Sequence, residues 1–142
     1  MSHPTKCNIC GGKVSYIKTS KYKSGYMYSC DNCHAQVGTF PQNKEIAMGI
    51  LADSETRKKR IEVHRLFDRF WRKSCGRSKR YEQLANELNI PKEQCHFSLM
   101  DLQTLLKAER ILLKWWRDKY DIWKEIKTNA KIPLDKLWFL KC

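Results

Sequence analysis

The 142-residue sequence contains no run of some eighteen apolar residues, and its first twenty residues hold no apolar core of the kind that opens a secretory leader. Neither a membrane span nor export is expected, and the reading is a cytoplasmic protein with no membrane partner. Acidic residues are scarce: 15 Asp and Glu face 28 Lys and Arg, a formal charge of +13. Histidine is scarcer still, at His3, His34, His64 and His96, so no ββα-metal nuclease pattern can be assembled. No internal repeat or low-complexity stretch is present. The length allows one ordinary domain, or a mini-domain plus a modest helical unit, and leaves little room for a deep enzyme core.

The seven cysteines are odd in number, which argues against a disulfide scaffold. Four of them are grouped. Cys7-Asn8-Ile9-Cys10 and Cys30-Asp31-Asn32-Cys33 are separated by nineteen residues, the usual spacing for two C-x-x-C turns that supply four thiolates to one Zn²⁺. A redox dithiol needs only one such pair. Four thiolates leave no coordination position for water, so one structural zinc is expected, and function is sought on whatever surface it organises. His34, beside the second pair, is a possible substitute ligand. Cys75, Cys95 and Cys142 are scattered and carry no assigned role.

Between the pairs, Val14, Tyr16, Tyr26 and Tyr28 alternate with polar residues on either side of Lys21-Tyr22-Lys23-Ser24-Gly25, a turn signal. Together with Gly11 and Gly12 this predicts a zinc-ribbon β-hairpin over residues 1–50, with 37–50 read as a strand end and an irregular connector. Asp53 or Ser54 caps a helix that the pattern carries to about Lys73, with an apolar stripe of Ile61, His64, Phe67 and Trp71 widened by Val63, Leu66 and Phe70. Gly76 breaks it. A short helix capped by Ser78 and stopped by Asn89-Ile90-Pro91 follows, completing a segment of basic helix and helical hairpin over 51–98. Within it, Ala85, Asn89, Ile90 and Cys95 loosely match a helix-turn-helix.

Ser98 with Asp101 opens a long aromatic-rich helix to about residue 127, striped by Leu102, Leu105, Ala108, Leu112, Trp116, Tyr120, Trp123 and Ile126. A tail helix from Pro133 with Leu134, Leu137, Trp138 and Leu140 completes a segment 99–142. The fold class is α+β: a zinc-ribbon hairpin followed by three to four helices.

Residues 46–80 hold eleven Lys and Arg against four Asp and Glu, more than half of the chain's cationic excess. Arg57, Lys58, Arg60, Arg65, Arg69, Arg72, Lys73, Arg77, Lys79 and Arg80 are the expected contacts to DNA or RNA phosphates, extended by a hairpin loop of Lys18, Lys21, Tyr22 and Lys23 with Tyr22 open for base stacking. A solvated charged face is the plainer alternative. Adjacent Trp115 and Trp116 point about 100° apart on a helix, so one face does not bury both. With Trp123 and Trp138 they outline an interface for a host protein or for self-association. His64 and Asp68, four apart, suit either a general base with its orienting acid or a half-buried histidine held by a carboxylate while packing on the ribbon. No catalytic residue is assigned, and binding rather than catalysis is expected.

The knuckles CNIC and CDNC, the connector ending in GILAD at Asp53, the run H-x-x-F-D-x-x-W at His64, Phe67, Asp68 and Trp71, and YEQLANELNI from Tyr81 to Ile90 resemble a small phage- and prophage-encoded family of zinc-finger-containing domains. The similarity spans roughly residues 7–112. It implies a zinc site, a ribbon-plus-helices fold and a phage or prophage origin, and supplies no mechanism. The tail from Trp115 to Cys142 is an addition to that pattern.

Overall fold

The computed structural model describes residues 3–71 and 76–127. The expected contacts Arg72 and Lys73, Cys75, Cys142, and the tail helix from Pro133 with Trp138 lie outside the described residues, as does the side chain of Trp123. The chain divides into two compact units: one of residues up to Arg60 with Ser98–Leu102, the other of Ile61–Phe97 with the chain from Gln103 onward.

The first unit is an antiparallel sheet of four strands in sequence order: β1 (Val14–Lys18), β2 (Tyr26–Cys30), β3 (Gln36–Phe40) and β4 (Asn43–Ala47). The expected hairpin is β1–β2, with Tyr16 opposite Tyr28 and Val14 opposite Cys30. Gly25 takes φ +86° in its turn. The expected irregular connector over 37–50 is instead a second hairpin, and the reasons are local. Gly38, a residue type that ordinarily weakens a strand, sits in β3 because Tyr22 lies flat against it: a Cβ there would stand 2.4 Å from the Tyr22 ring. Pro41 falls outside the ladder, in the two-residue turn between Phe40 and its partner Asn43. The hydroxyls of Tyr16 and Tyr28 donate across the sheet to the carbonyls of Lys44 and Glu45, so the sheet curls. Cys7, Tyr28, Cys30, Ala35, Val37, Ala47 and Leu51 form its core.

Helix α1 (Ser54–Phe67) follows, and of the two candidate caps Asp53 is the one used: its Oδ1 accepts the Thr56 amide at 2.8 Å. Hydrogen bonds from the Thr56 hydroxyl and amide, then nearby Arg57 and Arg60, hold its carboxyl below the usual range. The α-helix does not reach Lys73. It tightens into a 3₁₀ turn over Asp68–Phe70 and ends at Trp71, which is extended. The buried stripe is accordingly Val63, Phe67 and Phe70, while Ile61 is exposed and His64 half-buried. A 3₁₀ turn rotates Phe70 onto the face that a continued α-helix would have given Trp71.

In the second unit, α2 (Arg77–Leu88) starts from Gly76 in the left-handed conformation, not from Ser78 as a cap. It ends as expected. Asn89 is left-handed, with its amide bonded to Asn86 and that of Ile90 bonded to Ala85, a Schellman closure. The helix-turn-helix reading of 81–98 fails, because Pro91 is fixed in extended backbone and leads only into a 3₁₀ turn, Lys92–Gln94, with Cys95 buried behind it. A further 3₁₀ turn, Phe97–Leu99, takes up Ser98, so α3 (Leu102–Lys127) opens after Asp101 instead. Its 26 residues run about 39 Å.

The core of this unit is aromatic. Phe67 packs on Tyr81 at 4.4 Å and on Phe97 at 5.4 Å, and Phe70 meets Trp115 edge-on at 5.5 Å, over buried Leu84, Leu105, Ala108 and Leu112.

Candidate metal centre and basic surface

Both cysteine knuckles are built alike. In the first, the Cys7 amide bonds the Gly12 carbonyl at 2.8 Å and the Gly11 amide returns to Cys7 at 3.0 Å. In the second, Cys30 bonds Ala35 at 2.8 Å and His34 returns to Cys30 at 3.1 Å. Gly11 and His34 occupy equivalent left-handed corners, at φ +76° and +64°. His34 thus turns the chain, and it stands outside the cluster as a ligand.

The sulfurs of Cys7, Cys10, Cys30 and Cys33 all lie within 4.8 Å of one another, with Cys7 to Cys33 at 3.6 Å and Cys10 to Cys30 at 3.4 Å. A tetrahedron with Zn–S near 2.3 Å has edges of about 3.8 Å, so the four sulfurs are spaced to close on one ion. Amides complete the cradle: Ile9 points at Cys7 Sγ, Gly12 at Cys10 Sγ, and Asn32 and Cys33 at Cys30 Sγ, each at 3.4 Å. Gly12 is where it is because a Cβ would stand 2.9 Å from Asn32 Cβ, 3.0 Å from Cys30 Sγ and 3.2 Å from Cys10 Sγ. The donor set, spacing and amide cage fit one structural Zn²⁺, with no position left open for chemistry.

Without a bound ion the thiols of this cluster would hold their protons unevenly. Hydrogen bonds from the Asn32 side chain, the Gly12 amide and Cys30 draw Cys10 down to about 6. At Cys33 the Ala35 amide pulls downward, but burial and the thiols of Cys10, Cys7 and Cys30 outweigh it and push the group up to about 12.

Asn8, which the spacing argument passed over, ties this centre to the approach to α1. Its side-chain amide donates to the Leu51 carbonyl at 3.0 Å and accepts the Leu51 amide at 2.9 Å. An asparagine inside a knuckle carries no such signal in the sequence, since its partner lies 43 residues away.

The expected nucleic-acid contacts among the described residues fall into three groups. Lys58, Arg65, Arg69, Arg77 and Lys79 are exposed. Arg60 and Arg80 are structural, and this corrects their assignment. Arg60 is partly buried and donates to the carbonyls of Ile50 at 3.2 Å and Met100 at 3.0 Å; Arg80 is 3% exposed and donates from Nε to the Phe70 carbonyl at 3.2 Å. Burial lowers the pKa of both. Periodicity marked them as cations on a helix without showing that segments elsewhere in the chain would cover them. Arg57 is intermediate, with one guanidinium nitrogen 2.6 Å from the Ala52 carbonyl. Tyr22 is likewise not free for stacking. It packs on Gly38, and its hydroxyl donates to Gln36 at 3.2 Å.

His64 Nδ1 lies 2.9 Å from Asp68 Oδ2, and the Trp71 indole donates to the other carboxylate oxygen at 3.1 Å. The aromatic neighbour of the imidazole is Phe97, edge-on at 5.2 Å. Asp68 thereby joins two motif residues, His64 and Trp71, just where α1 changes to 3₁₀ geometry. Among the tryptophans, Trp115 is core, 3% exposed with its indole donating to Glu87 at 2.6 Å, which removes it from any docking surface. Trp116, its neighbour, is 41% exposed. The buried stripe of α3 therefore runs Leu105, Ala108, Leu112, Trp115 and Ile122, one residue round from the expected Trp116 and Tyr120.

Among the described residues, no helix is long and apolar enough to cross a membrane. A family model described as a zinc-finger-containing domain matches residues 3–115. No curated protein and no solved structure matches the chain.

Proposed function

From the premise that the chain belongs to the zinc-finger-containing domain family, we propose that it is a zinc-stabilised binding protein that contacts nucleic acid through cations displayed on α1 and the start of α2. It acts by occupancy, as a phage or prophage product in the cytoplasm of a bacterial host. The observation that carries this reading is the division of labour among the arginines. Arg60 and Arg80 are consumed by the fold, while Lys58, Arg65, Arg69, Arg77 and Lys79 stay at the surface. Two of the latter are steadied by rings: Arg69 lies 5.5 Å over Trp116 and Arg77 lies 5.3 Å over Trp71. A guanidinium held over an indole face still has donors to turn toward a phosphate.

Fluorescence anisotropy with a random duplex and a random single strand tests the reading. Five phosphate contacts make affinity fall several hundredfold between 50 and 200 mM salt, by a slope of about −0.9 per contact. Arg65→Gln with Arg69→Gln should flatten that slope by about two. Affinity that ignores salt, or no binding at low salt, overturns it.

A second reading rests on α3. Leu113, Trp116 and Tyr120, exposed at 46%, 41% and 60%, share one face of the helix and offer an apolar surface to a host protein or a second copy of the chain. Under that reading Trp116→Ser with Tyr120→Ser abolishes partner capture from nuclease-treated lysate and leaves zinc content unchanged.

A further inference from the structure

The second unit contains a cleft of about 460 Å³ lined by Arg77, Ser78, Tyr81, Lys92, Glu93 and His96. That volume lies within the range of small-ligand sites, about 300–1,000 Å³, and far exceeds what one inorganic anion needs. Three of its polar side chains, Arg77, Lys92 and His96, rest against its walls. The Arg77 guanidinium lies over both Trp71, at 5.3 Å, and Tyr81, at 5.6 Å. Lys92 reaches the opposite lip, where Nζ donates to Ser78 Oγ at 2.9 Å and stands 3.9 Å from Glu82. The exposed His96 ring leans on Tyr81 at 5.7 Å.

The lining is mixed in sign, and this decides what it suits. A bare anion gains from Arg77 and Lys92 but is repelled by Glu93. A polycation is repelled by the two bases. A nucleotide carries both complements: a phosphate for the two cations, sugar hydroxyls or an exocyclic amine to donate to the Glu93 carboxylate, and a flat ring for the imidazole of His96. We propose that this cleft receives a single nucleotide, with its phosphate between Arg77 and Lys92 and its base against His96. The inference rests on the nucleic-acid reading and deepens it: the surface cations follow a strand, and the cleft takes one unit of it, at an end or extruded.

Adenosine 5′-monophosphate and inorganic phosphate, titrated separately against the zinc-loaded chain with amide chemical shifts as the readout, test it. The nucleotide should shift Ser78, Lys92, Glu93 and His96, with Trp71 moving as the arginine over it is engaged, and should bind at least about tenfold tighter than phosphate. Arg77→Gln and Lys92→Gln should each weaken it about tenfold, and Glu93→Gln should weaken the nucleotide but not phosphate. Lys58→Gln, outside the cleft, should leave nucleotide binding unchanged while lowering affinity for a long duplex. Equal binding of phosphate and nucleotide, or cleft variants no different from Lys58→Gln, overturns the proposal even if salt-dependent duplex binding persists. Lys92 is exposed, so its variant stays folded and informative if Arg77→Gln does not. Nucleotide binding in the cleft with no affinity for polymer would instead retire the strand reading and leave the cleft as a nucleotide site.

Discussion

Three glycines show how much a single hydrogen atom decides in the ribbon. Gly12 has two sulfurs and Asn32 within 3.2 Å of any added Cβ, Gly38 has the Tyr22 ring at 2.4 Å, and Gly25 has nothing within 4 Å but a positive φ. Gly12→Ala should therefore cost about ten- to a hundredfold in zinc affinity, as losses in the shell around a metal commonly do, read by competition with a chromogenic chelator. Gly25→Ala should leave zinc affinity untouched and lower stability by about 1 kcal/mol through left-handed strain alone. If both variants bind zinc like the parent, the amide cage is not under the steric control described. Arg60 is the other residue whose role is invisible in the chain. Arg60→Met removes the donor that serves Ile50 and Met100, and it should lower stability by about 2 kcal/mol while changing nucleic-acid affinity less than Arg65→Gln does. The cysteines were legible because C-x-x-C spacing encodes ligand geometry within four residues. Asn8, Arg60 and Arg80 were not, because the backbone groups they serve lie ten or more residues away.

At the scale of elements, starts and stops were read with uneven success, and the difference is chemical. Asn89-Ile90-Pro91 ends α2 as the residues demand, since a left-handed asparagine followed by a proline two residues later leaves the helix no continuation. Asn89→Gly should be close to neutral, whereas Asn89→Ala should lower stability by about 1 kcal/mol in thermal melts. A similar cost for both would mean that the asparagine side chain, not its backbone, is what matters. The capping-box start expected from Ser98 with Asp101 is not used: Ser98 lies in the 3₁₀ turn Phe97–Leu99, where its carbonyl accepts the Ile50 amide at 3.0 Å, and α3 opens after Asp101. The second hairpin was hidden by Gly38 and Pro41. Both residues have the composition of a loop, and only a tyrosine needing a flat neighbour and a two-residue turn explains them in a sheet.

For the whole molecule, two units with separate cores imply separable dependence on the metal. The ribbon core of Cys7, Tyr28, Cys30, Ala35, Val37, Ala47 and Leu51 includes two of the zinc ligands, whereas the core of the second unit, around Phe67, Tyr81, Leu84, Leu105 and Leu112, contains none. Removal of zinc with a strong chelator should unfold the sheet and retain most of the helical circular dichroism, because structural zinc contributes about 10 kcal/mol of binding free energy to the unit that holds it. Complete loss of helicity in the same step would show that α2 and α3 also depend on the metal. The sequence alone determined the zinc ligands, the first hairpin, the cationic bias of residues 46–80 and the rule that Trp115 and Trp116 take different faces, since each follows from spacing within a few residues. Which of those tryptophans is buried, which arginines reach solvent, and that Arg77, Lys92 and His96 share one cleft were decided by tertiary structure. Burial depends on what distant segments bring against a surface, and no local periodicity records it.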